Sequence, residues 1–384
     1  MKFQFATASI VDFGAGSLKN LPGYAKRFGR RVLVVCGRDP TRAEPALRLL
    51  RDAGLAAETY SVHAEPTVQV VLQGRDIATA QEAEAVVGFG GGSAIDTAKA
   101  IAALMTNPGH PLDYLEVVGA GRPLEHPAVP CIAIPTTSGT GSEVTRNAVL
   151  DVPEEGIKAS LRHVSMLPRC AIVDPDLTLT VPPAITAATG CDALTQVIEP
   201  LVSRSANPIT DALCRDAIGR AASSLRQAYR NGSDLTARQD MALVSLFGGL
   251  ALANAKLGAA HGFAGVLGGR FRAPHGELCA ALLAPSMAIN IQALRSRAPD
   301  SVALSRYAEV ARLLCRDPAA SAEDGVQWVR DLVESLDIRG LASLGVDGSV
   351  SSQIVEQASR SSSMKGNPLE LLPDELHALL DQAM

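Results

Sequence analysis

The sequence predicts an α/β domain with a parallel sheet over residues 1–183, followed by an all-helical domain over residues 184–384. Three observations carry this reading. Short β-branched runs alternate with helical stretches in the first half, long Ala- and Leu-rich segments at helical period fill the second, and two prolines, Pro182 and Pro183, mark the change of texture. At 384 residues the chain exceeds one ordinary core. It suits two domains of roughly 150 to 200 residues each.

The elements follow in order. Arg31-Val32-Leu33-Val34-Val35-Cys36 reads as a buried strand, Thr41 to Ala53 as a helix, Ala85-Val86-Val87-Gly88-Phe89 as a second strand and Ala94 to Met105 as a helix. Cys131-Ile132-Ala133-Ile134-Pro135 is a third strand that ends in a turn. Apolar strands separated by helices are what a parallel sheet covered on both faces requires. Beyond the prolines, Ile209 to Tyr229 and Ala237 to Ala255 repeat apolar residues at helical spacing, with hardly a strand-like stretch. The chain carries no internal repeat.

Composition narrows the function classes. Hydrophobic residues make up 47% and charged residues 20%, without a low-complexity run, so the chain is globular rather than disordered. A formal net charge of −5 and the lack of a Lys/Arg cluster interleaved with aromatics argue against nucleic acid as a partner. The start, Met1 to Thr7, has no apolar core of signal-peptide length, and no uninterrupted apolar stretch approaches ~18 residues. The expectation is a cytoplasmic protein that does not engage a membrane. Cys36, Cys131, Cys170, Cys191, Cys214, Cys279 and Cys315 are scattered and form no CxxC pair, which argues against a disulfide framework and a thiolate metal cluster. They read as reduced thiols, mostly in cores.

Two Gly-rich segments follow strands. Gly88-Phe89-Gly90-Gly91-Gly92-Ser93-Ala94-Ile95-Asp96-Thr97-Ala98-Lys99 opens a helix, where glycines admit a pyrophosphate and the free amides supply donors and positive dipole. A tight turn that binds nothing fits these glycines equally well, and the spacing is not G-x-G-x-x-G. Pro135-Thr136-Thr137-Ser138-Gly139-Thr140-Gly141-Ser142-Glu143-Val144-Thr145 concentrates hydroxyls suited to ribose and phosphate oxygens. Two such loops at strand ends favour a ligand crevice there.

Polar residues of another kind lie in the second half. Asp192 and Gln196 are i,i+4 neighbours on one helix face, and His261 and His275 each stand beside a glycine. Carboxylate plus imidazoles suits Fe(II), Zn(II), Mn or Co. Helix caps and satisfied core histidines account for these residues as well.

GGGSAIDTAKA, IPTTSGTGSEVT, AATGCDALTQVIE and PHGELCAALLAP, in this order and spacing, resemble the iron-containing (group III) alcohol dehydrogenases along essentially the whole chain. The resemblance implies the dehydroquinate synthase-like architecture: an N-terminal dinucleotide-binding α/β domain, a C-terminal helical domain and an active site in the cleft between them. It further implies a cytosolic NAD(P)-dependent enzyme that moves a hydride between a small-molecule alcohol and its aldehyde or ketone with the help of one divalent metal, Fe or Zn. Gly91, Gly92 and Ser93 match the pyrophosphate cradle, with Asp96 in the same motif. Thr136, Thr137, Thr145 and Asn147 match positions along the nucleotide, and Lys158 resembles the lysine that reaches the nicotinamide ribose. Where NAD-preferring relatives carry an acidic residue after the first strand, this chain has Gly37, with Arg38 and Arg42 nearby. That leans towards NADP(H), because a carboxylate repels a 2′-phosphate and an arginine pairs with it.

Asp192, His261 and His275 match three of the family's four metal ligands. The fourth, normally a histidine, is Gln196, a weak carbonyl donor or water-holder. Three protein ligands with an open position still suit a catalytic, zinc-like site. Gly265 replaces a histidine that many members carry near the nicotinamide, which enlarges the pocket and leaves the proton route unassigned. The resemblance also implies a homodimer, and the apolar N-terminal segment Phe3-Gln4-Phe5-Ala6 is the stretch expected from the sequence to pair across it.

Three rival readings remain. A metal-independent reductase like the maleylacetate reductases conflicts with the retained Asp192 and both histidines. A lyase like dehydroquinate synthase needs several basic groups, whereas the stretch from His261 to His275 offers Arg270 and Arg272. A degenerate, non-catalytic nucleotide-binding protein is the third.

Overall fold

The computed structural model describes residues 2–384. Contacts divide the chain into two compact units. One comprises Ala6–Thr137 and Gly141–Thr178; the other comprises Leu179–Met384, Ser138–Thr140 and the N-terminal segment ending at Phe5.

The first unit is built on β1 (Val11–Phe13), β2 (Arg31–Cys36), β3 (Ala56–Ser61), β4 (Ala85–Gly90), β5 (Cys131–Pro135), the hairpin β6 (Asn147–Val152) and β7 (Ile157–Arg162), and β8 (Cys170–Val173). Its helices are α1 (Leu21–Ala25), α2 (Glu44–Asp52), α3 (Val68–Ala80) and α4 (Gly92–Leu104). Among the described residues, six strands form one sheet in the order β1-β8-β5-β4-β2-β3, every pair parallel. The side chains of β2 explain its unbroken apolar run. Leu33 and Val35 enter the core that includes α4, whereas Val32, Val34 and Cys36 enter the core on the other face with α1 and α2.

The three strands read from sequence are present, and the helices start at different points. The segment Pro40–Ala43 makes a 3-10 turn, and α2 begins only at Glu44, with Pro45 in its first turn, where a missing N–H costs nothing. Helix α4 starts at Gly92, ahead of Ala94, because Gly91 serves as its N-cap. Strands β1, β3 and β6 to β8 are short or edge elements that the apolar-run criterion passes over.

Chain order reverses between β2 and β4: β3 lies beyond β2 on one side, β5 beyond β4 on the other. The carboxyl ends of β2 and β4 therefore flank a crevice of the kind that binds ligands in open α/β sheets. Gly37 follows β2 and Gly91 follows β4.

The second unit contains α5 (Pro183–Val202), α6 (Pro208–Arg230), α7 (Leu235–Ala255), α8 (Ala259–Phe271), α9 (His275–Arg297), α10 (Val302–Cys315), α11 (Ala322–Ser335), α12 (Ser351–Arg360) and α13 (Pro373–Ala383). Helix α5 is buried on almost every side from Thr186 to Val202, as befits the central helix of a bundle. Helix α9 is long and apolar enough to cross a membrane, but 78% of its apolar window is buried inside the protein. That burial is what a core helix shows. All seven cysteines are free; Cys315 is part-exposed and the others are buried.

Candidate active site

Helix α5 supplies one wall of a polar cluster inside the helical unit. Asp192, Gln196 and Glu199 sit at i, i+4 and i+7 on one face, all buried. The chain turns by 99° between α7 and α8, with Lys256 held at φ 62° in the left-handed region, and this brings His261 in the first turn of α8 against α5. His275 is the first residue of α9. A Cβ on Gly276 would lie 2.3 Å from the Ala188 carbonyl oxygen, so only glycine lets the start of α9 approach α5 this closely.

The donor atoms converge. Asp192 Oδ1 is 3.2 Å from His261 Nε2 and 3.8 Å from His275 Nε2. Cys279 Sγ lies 3.5 Å from His275 Nε2, and the ligand atoms of Asp192, His261, His275 and Cys279 all fall within 4.8 Å of one another. Ligand atoms about 2.1 Å from a tetrahedral zinc stand about 3.4 Å apart, so these separations suit one shared cation.

Glu199 orients the centre. Its Oε2 accepts from His261 Nδ1 at 2.7 Å and its Oε1 from the Ala260 amide at 2.7 Å. In the neutral imidazole that a cation would bind, a proton on Nδ1 facing Glu199 would leave the Nε2 lone pair on the Asp192 side, the arrangement found behind metal-bound histidines. Burial opposes charge on Asp192, yet the hydrogen bond from His261 and the charge of His275 hold its carboxyl below the usual range. Burial likewise opposes charge on His261, but Cys279, Glu199 and Asp192 outweigh it and hold the imidazole well above its ordinary value. His275 is raised by Cys279, against burial and with help from Asp192. The cluster is therefore a trap for positive charge.

Gln196 Nε2 donates to Asp192 Oδ1 at 3.0 Å, while its buried Oε1 has no hydrogen-bond partner among the described residues. An orphaned buried acceptor beside four metal-type donors fits a group that the protein must supply from solution. The donor set and this orphan together fit a divalent cation. Gly265 lies one turn beyond His261 on α8, and a Cβ there would meet nothing within 4 Å. Two participants escape the sequence reading. Glu199 was legible as the i+7 neighbour of Asp192, and Cys279 as the i+4 neighbour of His275; Cys279 is a buried core thiol, as most of the cysteines were expected to be, and its Sγ also joins the metal-type donors.

In the α/β unit, the loops after β4 and β5 are adjacent. The Thr136 amide donates to the Gly90 carbonyl at 2.9 Å, and a Cβ on Gly91 would sit 3.4 Å from Thr137 Oγ1. Gly91, Gly92, Ser93, Thr136 and Thr137 thus gather at the first turn of α4, whose leading amides have no intrahelical partner. Gly37 adjoins them: a Cβ on Gly90 would come within 3.6 Å of the Gly37 amide. A Cβ on Gly37 itself would meet nothing within 4 Å.

The other expected nucleotide residues have partners within the protein. Asp96 accepts a short hydrogen bond from Ser142 Oγ and one of 2.9 Å from the Val149 amide, and it pairs with the fully buried Lys99 at 3.0 Å. Lys99 Nζ also donates to Thr145 Oγ1 at 3.0 Å and to the Ser142 carbonyl at 2.9 Å. Asp96 and Thr145 therefore brace the second loop from behind. Asn147 heads β6 opposite Arg162, and Lys158 on β7 pairs with Glu65 at 3.4 Å. Arg38 donates through Nε and Nη2 to the His63 carbonyl, and Asp39 is occupied by capping Thr41.

Residues 8–175 match the family described as iron-containing alcohol dehydrogenase, and residues 186–384 match the Fe-containing alcohol dehydrogenase family, C-terminal. The chain belongs to the iron-containing alcohol dehydrogenase family. Choline dehydrogenase of Bacillus subtilis is 32% identical to it over 379 residues, which is 96% of this chain and 91% of that protein. Long-chain-alcohol dehydrogenase 1 of Geobacillus thermodenitrificans is 42% identical over 297 residues, covering 76% and 74%. Among solved structures, sulfoacetaldehyde reductase from Bifidobacterium kashiwanohense in complex with NAD+ superposes with a TM-score of 0.87 at 29% identity, covering 100% of this chain and 99% of that one. This dehydrogenase is thus an oxidoreductase acting between alcohols and aldehydes, in a family that binds NAD(P) and a divalent metal.

Proposed function

We propose that the enzyme carries out metal-assisted hydride transfer between an alcohol and its carbonyl form, with NADP(H) as the preferred nicotinamide. The observation that carries this reading is the convergence of Asp192 Oδ1, His261 Nε2 and His275 Nε2, with Glu199 fixing the tautomer of His261. When bound, a divalent cation supplies Lewis acidity towards the alcohol oxygen and a nicotinamide supplies the two-electron acceptor. Asp192, His261 and His275 hold the cation. Gln196 steadies Asp192, and its free Oε1 can orient a water or the substrate hydroxyl.

The amides of Gly91, Gly92 and Ser93 bind the diphosphate, with Thr136 and Thr137 alongside. The 2′-phosphate preference is supported by Gly37, whose Cβ direction is open and which carries no carboxylate to repel the phosphate. The open space at Gly265 supports an alcohol bulkier than a short diol. No covalent nucleophile is required. The test is metal content and turnover on protein purified without chelator, assayed with both nicotinamides and a series of alcohols and aldehydes. Stoichiometric metal, with activity lost to chelator and restored by Zn or Fe(II), is the expected result; full activity in metal-free protein would overturn it.

A further inference from the structure

We propose that the thiolate of Cys279 is a fourth protein ligand to the cation, completing an Asp192, His261, His275, Cys279 donor set. The proposal rests on the metal reading above and deepens it. Four observations carry it.

Cys279 lies one turn after His275 on α9, so both side chains leave the same helix face. Its Sγ is 3.5 Å from His275 Nε2, close to the edge of a tetrahedron drawn around one metal ion, and it falls within 4.8 Å of the Asp192 and His261 donors too. The thiol is fully buried, so no bulk water competes for the position it occupies. Gln196, the other group at the centre, has its Nε2 committed to Asp192 and offers only an amide carbonyl, a weaker donor than a thiolate. Where the family's usual imidazole is absent from α5, a sulfur donor from α9 stands on the other side of the same centre.

The loading step balances simply. The S–H bond breaks, a sulfur–metal bond forms, and the proton leaves to the buffer without any change of oxidation state. A carboxylate, two imidazoles and a thiolate form a borderline-soft set, which favours Zn(II) or Co(II) over Fe(II). Zinc centres expand to five ligands during reaction, so four protein donors still leave a position for substrate.

The experiment is Co(II) substitution of the full-length protein, read by absorption. Wild type is expected to show ligand-field bands of a low-coordinate site together with a near-ultraviolet thiolate-to-cobalt charge-transfer band. Cys279→Ala is expected to lose the charge-transfer band and to raise the zinc dissociation constant at least about tenfold, the lower end of what even an indirect partner of a metal ligand costs. Cys214→Ser, at a buried thiol outside the cluster, is expected to keep both. Cobalt bound by wild type without a charge-transfer band, or a band that survives in Cys279→Ala, overturns the Cys279 assignment and leaves the metal reading standing. Failure of wild type to bind cobalt or zinc overturns both.

Discussion

Glu199 Oε2 lies 2.7 Å from His261 Nδ1, two helical turns along α5 from the carboxylate that faces the same imidazole from the other side. The histidine is thus gripped at both nitrogens, and only one grip is at the metal position. Glu199→Gln keeps the size and a hydrogen-bond acceptor but removes the charge. Metal affinity is expected to fall about 10- to 100-fold, and turnover at limiting metal with it, recovering when metal is added in excess. Competition titration against a chromophoric chelator measures this; an unchanged affinity would reduce Glu199 to a packing residue.

Burial pushes the Glu143 carboxyl up to about 7, only partly offset by its own loop's amide and by Lys99. Between the ordinary glutamate value of 4.5 and about 7 the folded protein keeps a proton that the unfolded chain has lost. Its contribution to stability is full at the acid end of that window and declines as pH rises through it, by about 3 kcal/mol in all. Urea unfolding across this window should show the slope in wild type and a flatter profile in Glu143→Gln. Equal slopes would remove Glu143 as their source.

Lys99 is a charge without access to water, held by Asp96, Thr145 and the Ser142 carbonyl. Replacing it with the similarly shaped Met leaves Asp96 without its counter-charge. Lys99→Met is expected to cost about 3 to 5 kcal/mol and to loosen the loop after β5, so that KM for the nicotinamide rises. Denaturant unfolding and steady-state kinetics read the two effects separately.

Gly37 is not required by backbone strain or by packing, since an added Cβ meets no atom within 4 Å. A carboxylate there should bind the ribose 2′-hydroxyl and repel a 2′-phosphate. Gly37→Asp is expected to shift the ratio of kcat/KM for NADP over NAD towards NAD by at least about tenfold, a difference near 1.4 kcal/mol. A wild-type enzyme that already prefers NAD would contradict the NADP reading outright.

Gly265 leaves the α8 face open one turn beyond His261. Gly265→His fills that space. Discrimination against bulky or long-chain alcohols relative to short ones is expected to sharpen by at least about tenfold in kcat/KM, within the range that pocket-filling changes produce. Uniform effects across an alcohol series would show that Gly265 does not border the substrate.

Much of this was legible in the chain. The unbroken apolar runs at Arg31–Cys36 and Cys131–Pro135 announce strands buried on both faces, and those bounds are the ones observed. Strand β3, reading AAETYS, was not legible, because an edge strand exposes one side and loses the apolar run. Asp192, His261 and His275 stand out by residue type and motif, and they do converge. Asp96 and Thr145 share a motif with the glycines but face inward to Lys99, which no spacing rule reveals.

What the sequence determined by itself is the set of local periods, the glycines that close approaches require and the ligand-type residues in their order. Those follow from backbone sterics and side-chain chemistry, which act within a few residues. Tertiary packing alone decided that Glu199 would meet His261, that Cys279 would join the metal-type donors and that Gln196 would keep an unmatched oxygen. Each depends on where α5, α8 and α9 cross, and that crossing is set by the side chains of whole helices rather than by any motif.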